Sequence, residues 1–368
     1  MKGGCRMPFT LETYRAPDFN SLLLNNAPDA RILPAPADGA APADYHAMSI
    51  FPEYFRVGGR WLLAEESRMD CVPVLENGRV QIREFRNLKK GDAVICGRTE
   101  NGEEGIFVHT QGFASPEKQG ETFAFRQGHS RETSFSRDYD ELYELLRYER
   151  DHGNILWVAG PAVVFDHDAR SAFSRLISAG YAHALLAGNA LATHDLEGAW
   201  LGTALGQDIY SRVNHKNGHY NHLDTINRVR QCGSVERFIE EEHITDGVIR
   251  SCVANKVPYV LAGSIRDDGP LPEVYSDVYA AQDAMRALAK NATTVICMAT
   301  MLHTIAVGNM TPSFRVLPDG TVRKVFFYCV DISEFTVNKL MDRGSLSSRG
   351  IVTNVQDFIV NLANGLGA

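Results

Sequence analysis

The sequence predicts an α/β protein: a parallel sheet covered by helices, preceded by a small, mostly antiparallel β domain. Two observations predict it. First, the second half carries five short apolar runs, Ile155–Gly160 (ILWVAG), His183–Asn189 (HALLAGN), Pro258–Ser264 (PYVLAGS), Thr294–His303 (TVICMATMLH) and Val325–Asp331 (VFFYCVD). They are nearly free of charge and rich in β-formers, the pattern of strands buried on both faces. Helical patterns such as Asp168–Ser178 and Val274–Lys290 separate them. Second, residues 50–125 carry short strand patterns punctuated by turn residues, which reads as hairpins rather than as βαβ units.

Taken in order, residues 1–45 hold Pro and Ala in a polar background (APDARILPAPADGAAPADY) and read as an irregular N-terminal arm. Residues 46–137 form the β-rich domain. Its strand candidates are Arg56–Leu63, Cys71–Leu75, Arg79–Phe85, Asp92–Cys96 and Gly105–His109, with Asn77-Gly78 and Asn101-Gly102 as hairpin turns. Residues 138–151 (DYDELYELLRYERD) are an amphipathic linking helix, and 152–368 are the α/β domain.

A chain of 368 residues fits about two domains, and 44% hydrophobic content is enough for two cores. A formal charge of -8 and the lack of a basic cluster argue against a nucleic-acid groove. No apolar stretch approaches the roughly 18 residues of a membrane span. The start, MKGGCRMPFTLETYR, has no apolar signal-peptide core. The seven cysteines lack CxxC spacing and several sit in apolar strands, so they read as buried thiols of a reducing cytoplasm. The expectation is a cytoplasmic homo-oligomer acting on a small molecule.

In an open α/β sheet, ligands bind at the carboxyl ends of the strands. Those ends carry Gly160, Gly188-Asn189, Gly263-Ser264, Met301-Leu302-His303 and Asp331. Glycines there let the backbone approach a phosphate, so the domain is read as Rossmann-like and nucleotide-binding. The usual GxGxxG fingerprint is missing, which argues against the standard strand order. The turn Ala187-Gly188-Asn189-Ala190 is the best pyrophosphate cradle. The helix after it would carry Gly198, Gly202 and Gly206 as a smooth packing face; alternatively all these glycines serve only turns and packing. Asp331 can accept both hydroxyls of an adenosine ribose, favouring NAD over its 2′-phosphate form, or can cap the helix near Ser333.

Three further segments are chemically dense. In Gly263–Glu273 (GSIRDDGPLPE), Arg266 could fork onto a carboxylate, and Asp267 and Asp268 could orient an amine or a ribose. Asp-Gly-Pro is also plain turn chemistry. In Tyr220–Asn227 (YNHLDTIN), His222 and Asp224 are either site residues or caps. His215, His219 and His222 have no evident fourth ligand, so no metal is expected. In Ala64–Cys71 (AEESRMDC), Glu65, Glu66, Arg68 and Asp70 crowd four charges into six positions. They are a solvated strand edge, or they face the α/β domain, Arg68 holding a substrate carboxylate and Asp70 or Glu66 moving a proton.

The runs AEESRMDC, AGNALATHDLE, HYNHLDTIN, GSIRDDGPLPEVYSDVYAAQDAM, ATMLHTIAVGNM and CVDISEFTVNKLMDRGS resemble the archaeal-type ornithine cyclodeaminase family. That family is similar to the C-terminal part of cyanobacterial arginine dihydrolase/ornithine cyclodeaminases. It shares the conserved region named after lysine-oxoglutarate reductase/saccharopine dehydrogenase. The resemblance spans residues 40–365. It implies an NAD-dependent enzyme whose NAD-binding domain is akin to deoxyhypusine synthase. It also implies that Asn189, Ala190, Asp268, Thr300, Met301, Leu302, His303 and Asp331 lie in NAD-contacting motifs. The dihydrolase module is missing, so action on arginine is not expected. The implied reaction passes hydride from Cα of L-ornithine to NAD+ and forms an α-imine. The δ-amine then attacks, ammonia leaves, and the returned hydride gives L-proline. Arg68 or Arg266 would fix the carboxylate, and Asp70, Glu66 or His222 would move protons. The rival expectations are an NAD-dependent dehydrogenase or related enzyme of another basic amino acid or saccharopine-like adduct, and a non-catalytic NAD sensor.

Overall fold

In a computed structural model, the protein is described over residues 9–113, 136–267, 269–341 and 345–368. After a one-turn helix α1 (Leu22–Asn25), seven strands build the β-rich part: β1 (Arg31–Pro34), β2 (Glu53–Val57), β3 (Arg60–Leu63), β4 (Cys71–Glu76), β5 (Arg79–Glu84), β6 (Ala93–Cys96) and β7 (Ile106–Val108). They form two antiparallel sheets, ordered β1-β6-β4-β5 and β3-β2-β7. Asn77 and Gly78, at φ 52° and 75°, join β4 to β5. Both residues sit in the left-handed region that a two-residue hairpin requires.

Three expectations change here. The lead-in read as irregular contributes β1, which lies along β6 with Arg31 opposite Cys96. Prolines at 28, 34 and 36 hide so short a strand. The run Arg56–Leu63 is two strands, β2 and β3, folded at Gly58-Gly59, both with positive φ. Asn101-Gly102 does not join β6 to β7 as a hairpin: β6 pairs with β1 and β4, β7 pairs with β2, and Asn101 makes an isolated antiparallel bridge to Phe107.

Helix α2 (Ser136–His152) leads into the α/β part. There follow β8 (Ile155–Ala159), α3 (His167–Ser178), β9 (Ala184–Gly188), α4 (Asn189–Leu201), the ribbon β10 (Thr203–Ala204) and β11 (Gln207–Asp208), then α5 (Asn221–Cys232), α6 (Val235–Glu241) and α7 (Val248–Ala254). The chain continues through β12 (Tyr259–Ala262), α8 (Val278–Ala289), β13 (Thr294–Met298), α9 (Met301–Met310), the ribbon β14 (Phe314–Val316) and β15 (Val322–Lys324), β16 (Phe326–Asp331), α10 (Glu334–Met341), β17 (Ser348–Val352) and α11 (Val355–Leu366). The main sheet is parallel, in the order β12-β9-β8-β13-β16-β17. Numbered along the sheet's own strands, that is 3-2-1-4-5-6, the order of the dinucleotide-binding fold. The missing fingerprint therefore did not signal another order. The turn after β8 is built differently, with Gly160 followed by a 3₁₀ turn at Pro161–Val164.

Strand alternation assigns the two cores. Ile155, Trp157 and Ala159 face one way, packing with Phe173 of α3, Leu196 of α4 and Phe358 of α11. Leu156 and Val158 face the other way, against Ala281 and Met285 of α8 and Val307 of α9. Burial on both faces explains the unbroken apolar runs. The β-rich part seats along α8: Arg86 forks onto Asp283, and Glu84 pairs with Arg286 at 2.5 Å. Among the described residues, no helix is long and apolar enough to cross a membrane. The six described cysteines are buried and unpaired.

Candidate active site

Strand order reverses between β8 and β13, so the carboxyl ends of these two strands open the crevice where this fold takes its ligand. Gly160 directly follows β8, and a Cβ there would lie 2.1 Å from the Ala299 carbonyl oxygen. Ala299 itself sits at φ 48°. Two backbones thus touch at the switch point, and only glycine lets them. Gly160→Ala is expected to lose about 1–3 kcal/mol of stability, the usual cost of overpacking, read as a drop in thermal midpoint. Gly263 has a similar task, since a Cβ there would meet the Tyr275 carbonyl oxygen at 2.8 Å.

The other expected cofactor residues lie on the same edge. Helix α4 starts at Asn189 behind Gly188, and α9 starts at Met301 behind Thr300, neither with a side-chain cap. Their first N–H groups are donors without helical partners, suited to a pyrophosphate. Met301 and Leu302 are exposed. His303 reaches across β8, its Cε1 3.2 Å from where a Cβ on Gly188 would stand. Burial lowers the pKa of His303 and so favours its neutral form. These two open helix starts, with a glycine before one of them, fit a dinucleotide. Asp331 ends β16, where its Oδ1 accepts from Ser333 N at 2.8 Å. Ser333, not Asp331, caps α10, through Thr336 N. Asp268 lies outside the described residues.

Beside this edge is a cavity of about 420 Å³ lined by Asn189, Ala190, His194, His222, Arg266 and Asp267, among others. It brings together three segments that the sequence singled out separately. Asn189 Oδ1 accepts from Leu271 N at 3.1 Å, which ties the GSIRDD loop to the start of α4. Within that loop, Asp267 Oδ2 accepts from Ser264 N at 2.8 Å and Ser264 Oγ from Arg266 N. This turn leaves the Arg266 side chain exposed at the cavity. His222 stands in the first turn of α5, its Nδ1 buried and without a partner among the described residues.

Two residues that nothing in the sequence singled out stand here. His194 Nδ1 lies 3.1 Å from Glu197 Oε2. Glu197 is fully buried and also accepts from Thr203 Oγ1 at 2.7 Å, Leu205 N at 3.0 Å and Gly206 N at 2.9 Å. Burial alone would raise the pKa of Glu197, but its hydrogen bonds from His194, Gly206 and Thr203 hold it below the usual range. The glycine face expected along α4 does not form. The helix ends at Leu201, Gly202 caps it at φ 70°, and Gly206 packs against Gly218 in the next loop.

The AEESRMDC segment is not at this edge, which corrects the expectation for Arg68 and Asp70. Arg68 is 2% exposed and pairs with Glu84 and, at 3.0 Å, with Glu66. Ser67 O accepts from Ser313 N, just past α9, and Glu66 lies 3.6 Å from Lys290, just past α8. Both helices end at the amino edge of the sheet, opposite the crevice. Glu65 and Glu66 line a separate cavity of about 990 Å³ with Lys290 and Arg315. Asp70 is an exposed turn residue at φ 60°. The remaining histidines of the loop stay apart: His215 lies 3.8 Å from Asp208, and the His219 ring packs tilted against Tyr220. Among the described residues, no three His, Cys, Asp or Glu side chains gather as a metal site.

Residues 141–362 match the family described as arginine dihydrolase ArgZ-like, C-terminal, Rossmann fold, and residues 52–135 match its C-terminal first region. The chain is 38% identical over 349 residues to an ornithine cyclodeaminase of Methanopyrus kandleri, covering 92% of this chain and 78% of that protein. It is 37% identical over 344 residues to the bifunctional arginine dihydrolase/ornithine cyclodeaminase AgrE of Nostoc, and there spans only 47% of the relative. Among solved structures, a conserved putative LOR/SDH protein from Methanococcus maripaludis aligns with a TM-score of 0.82 at 34% identity, covering 92% of this chain and 98% of that one. The ternary complex of AgrE with ornithine and NAD+ aligns at 0.58 and 36% identity, covering 93% and 46%.

Proposed function

We infer the function of this chain from its family: it belongs to the ArgZ-like C-terminal family, and we propose that it is an NAD-dependent ornithine cyclodeaminase, converting L-ornithine to L-proline and ammonia. The observation that carries this reading is the cavity joining Asn189, His222, Arg266 and Asp267 beside two uncapped helix starts. The helix starts supply donors for a pyrophosphate, and the cavity supplies a cation for a carboxylate and imidazoles for proton transfer. When bound, NAD supplies a reversible acceptor for hydride from the substrate Cα.

In this reading, Gly188, Asn189, Ala190, Thr300, Met301, Leu302, His303 and Asp331 hold the cofactor, and Gly160 and Gly263 shape the turns beneath it. Arg266 binds the substrate carboxylate. Asp267 keeps the loop folded so that Arg266 meets the cavity, and His222 faces the substrate amines. The curated archaeal relatives named ornithine cyclodeaminase, and the AgrE complex with ornithine and NAD+, support the choice of substrate and cofactor. Mass spectrometry of products after incubation with NAD+ and a panel of diamino acids tests it: proline from ornithine is the expected result.

The place of Asp331 has its own test. If its carboxylate accepts the ribose hydroxyls, Asp331→Ala should weaken NAD binding by about 1.5–3 kcal/mol, roughly tenfold or more. Preference over NADP should fall as well, since the 2′-phosphate no longer meets a carboxylate. Titration with both nucleotides reads this directly. Unchanged affinities would leave Asp331 only its turn onto Ser333.

A further inference from the structure

Helix α4 carries a His–Glu pair whose geometry is that of an oriented base. His194 and Glu197 are three residues apart, so they share a helix face. Glu197 is held from three other directions by Thr203 Oγ1, Leu205 N and Gly206 N. An ionised carboxylate only accepts, so the ring nitrogen it meets, Nδ1 of His194, must carry the hydrogen. The neutral imidazole then keeps its lone pair on Nε2, and His194 forms part of the cavity wall. Phe165 packs edge-on at 5.3 Å between ring centroids and fixes the ring plane. The ring of His222 lies 6.3 Å away across the cavity.

We propose that His194 is the general base that takes a proton from the substrate amine, and that Glu197 is the positioning residue that fixes its tautomer. This rests on the cyclodeaminase reading above and names the proton acceptor for that reaction. One N–H bond of the α-ammonium breaks and its proton goes to Nε2, leaving a neutral amine. The nitrogen pair then forms the C=N bond as hydride leaves Cα for oxidised nicotinamide. The substrate becomes an iminium ion, and the imidazolium stands against the Glu197 carboxylate. The charged and titratable groups around His194 are Glu197 on its own helix, His222 and Arg230 from α5, and Arg266 and Asp267 from the loop after β12. Phe165 brings no charge.

His194→Asn is the decisive variant, because its amide N–H can still serve Glu197 while the Nε2 position is lost. Calorimetric titration with NAD+ should match wild type. Single-turnover reduction of nicotinamide with a panel of basic amino acids should slow by roughly a hundredfold to ten-thousandfold, and the acid limb of its pH profile should move up toward the pH at which the substrate ammonium loses its own proton. Long-range nitrogen–proton NMR correlations of the wild-type protein alone should show His194 protonated at Nδ1, and Glu197→Gln should disturb that tautomer. Wild-type turnover and pH profile in His194→Asn, or a wild-type imidazole protonated only at Nε2, overturns the proposal. Turnover of another basic amino acid in place of ornithine, with the same dependence on His194, keeps the base and discards the substrate. No turnover of any amine by the wild-type protein overturns both.

Discussion

Arg68→Ala is expected to lower the free energy of unfolding by about 3–5 kcal/mol, the cost of stranding buried charges, while NAD affinity stays at the wild-type value. The Arg68 guanidinium is buried between Glu66 and Glu84, and it also donates to the Ile82 carbonyl at 3.3 Å. Burial alone would raise the pKa of Glu84, yet Arg68 and Arg286 hold it at about 2, against an ordinary 4.5. A carboxylate whose pKa is depressed on folding contributes its full stability above its unfolded pKa and loses it as pH falls through the folded one. Wild type should therefore lose this contribution between about pH 4.5 and pH 2, and Arg68→Ala should lack that part of the acid transition. Denaturant titrations at neutral and acid pH, with NAD+ calorimetry, check both halves. A variant of normal stability that fails to bind the amino-acid substrate would return Arg68 to the active site.

Asp195→Ala should destabilise the α/β part by a similar amount, about 3–5 kcal/mol. Asp195 is fully buried in α4 and accepts from Arg170 Nε at 2.7 Å, Val248 N at 3.0 Å and Ile249 N at 2.7 Å. One carboxylate thus ties α3 to α4 and satisfies the start of α7, which has no side-chain cap of its own. Removing it strands the Arg170 guanidinium, which is 2% exposed. Asp246, the other partner of Arg170, lies at the protein surface and cannot replace three buried bonds. Since α4 also carries Asn189 and His194, NAD binding should weaken along with stability. Unfolding curves within about 0.5 kcal/mol of wild type, the usual scatter of surface substitutions, would contradict this.

The sheet was legible because burial on both faces writes itself as uninterrupted apolar runs. Five of its six strands showed that way. The sixth, Ser348–Val352, did not, because an edge strand reading SRGIV has mixed burial and no alternation. The strand order was not legible, since the fingerprint that would have announced it is replaced by Gly160-Pro161 and a 3₁₀ turn. In AEESRMDC the sequence showed the density of charge but not its direction. Buried ion pairs and a catalytic cluster have the same composition, and it is the packing of Ser67 on Ser313 and of Glu66 beside Lys290 that separates them here. His194 and Glu197 were hidden for a different reason. Helix α4 is buried on nearly every side, so the polar residues in THDLEG have no apolar face to stand out against. A His–Glu pair at i, i+3 within so buried a helix was the available signal.

In the proposed reaction, hydride leaves and returns to the same carbon within one cavity. L-Ornithine deuterated at Cα, incubated with the protein and NAD+, tests it most directly. The expected product is L-proline that keeps deuterium at Cα, with one ammonia per proline and no accumulation of reduced nicotinamide. Reduced nicotinamide rising in step with ornithine loss, with deuterium missing from the product, would mean a net dehydrogenase and would contradict it.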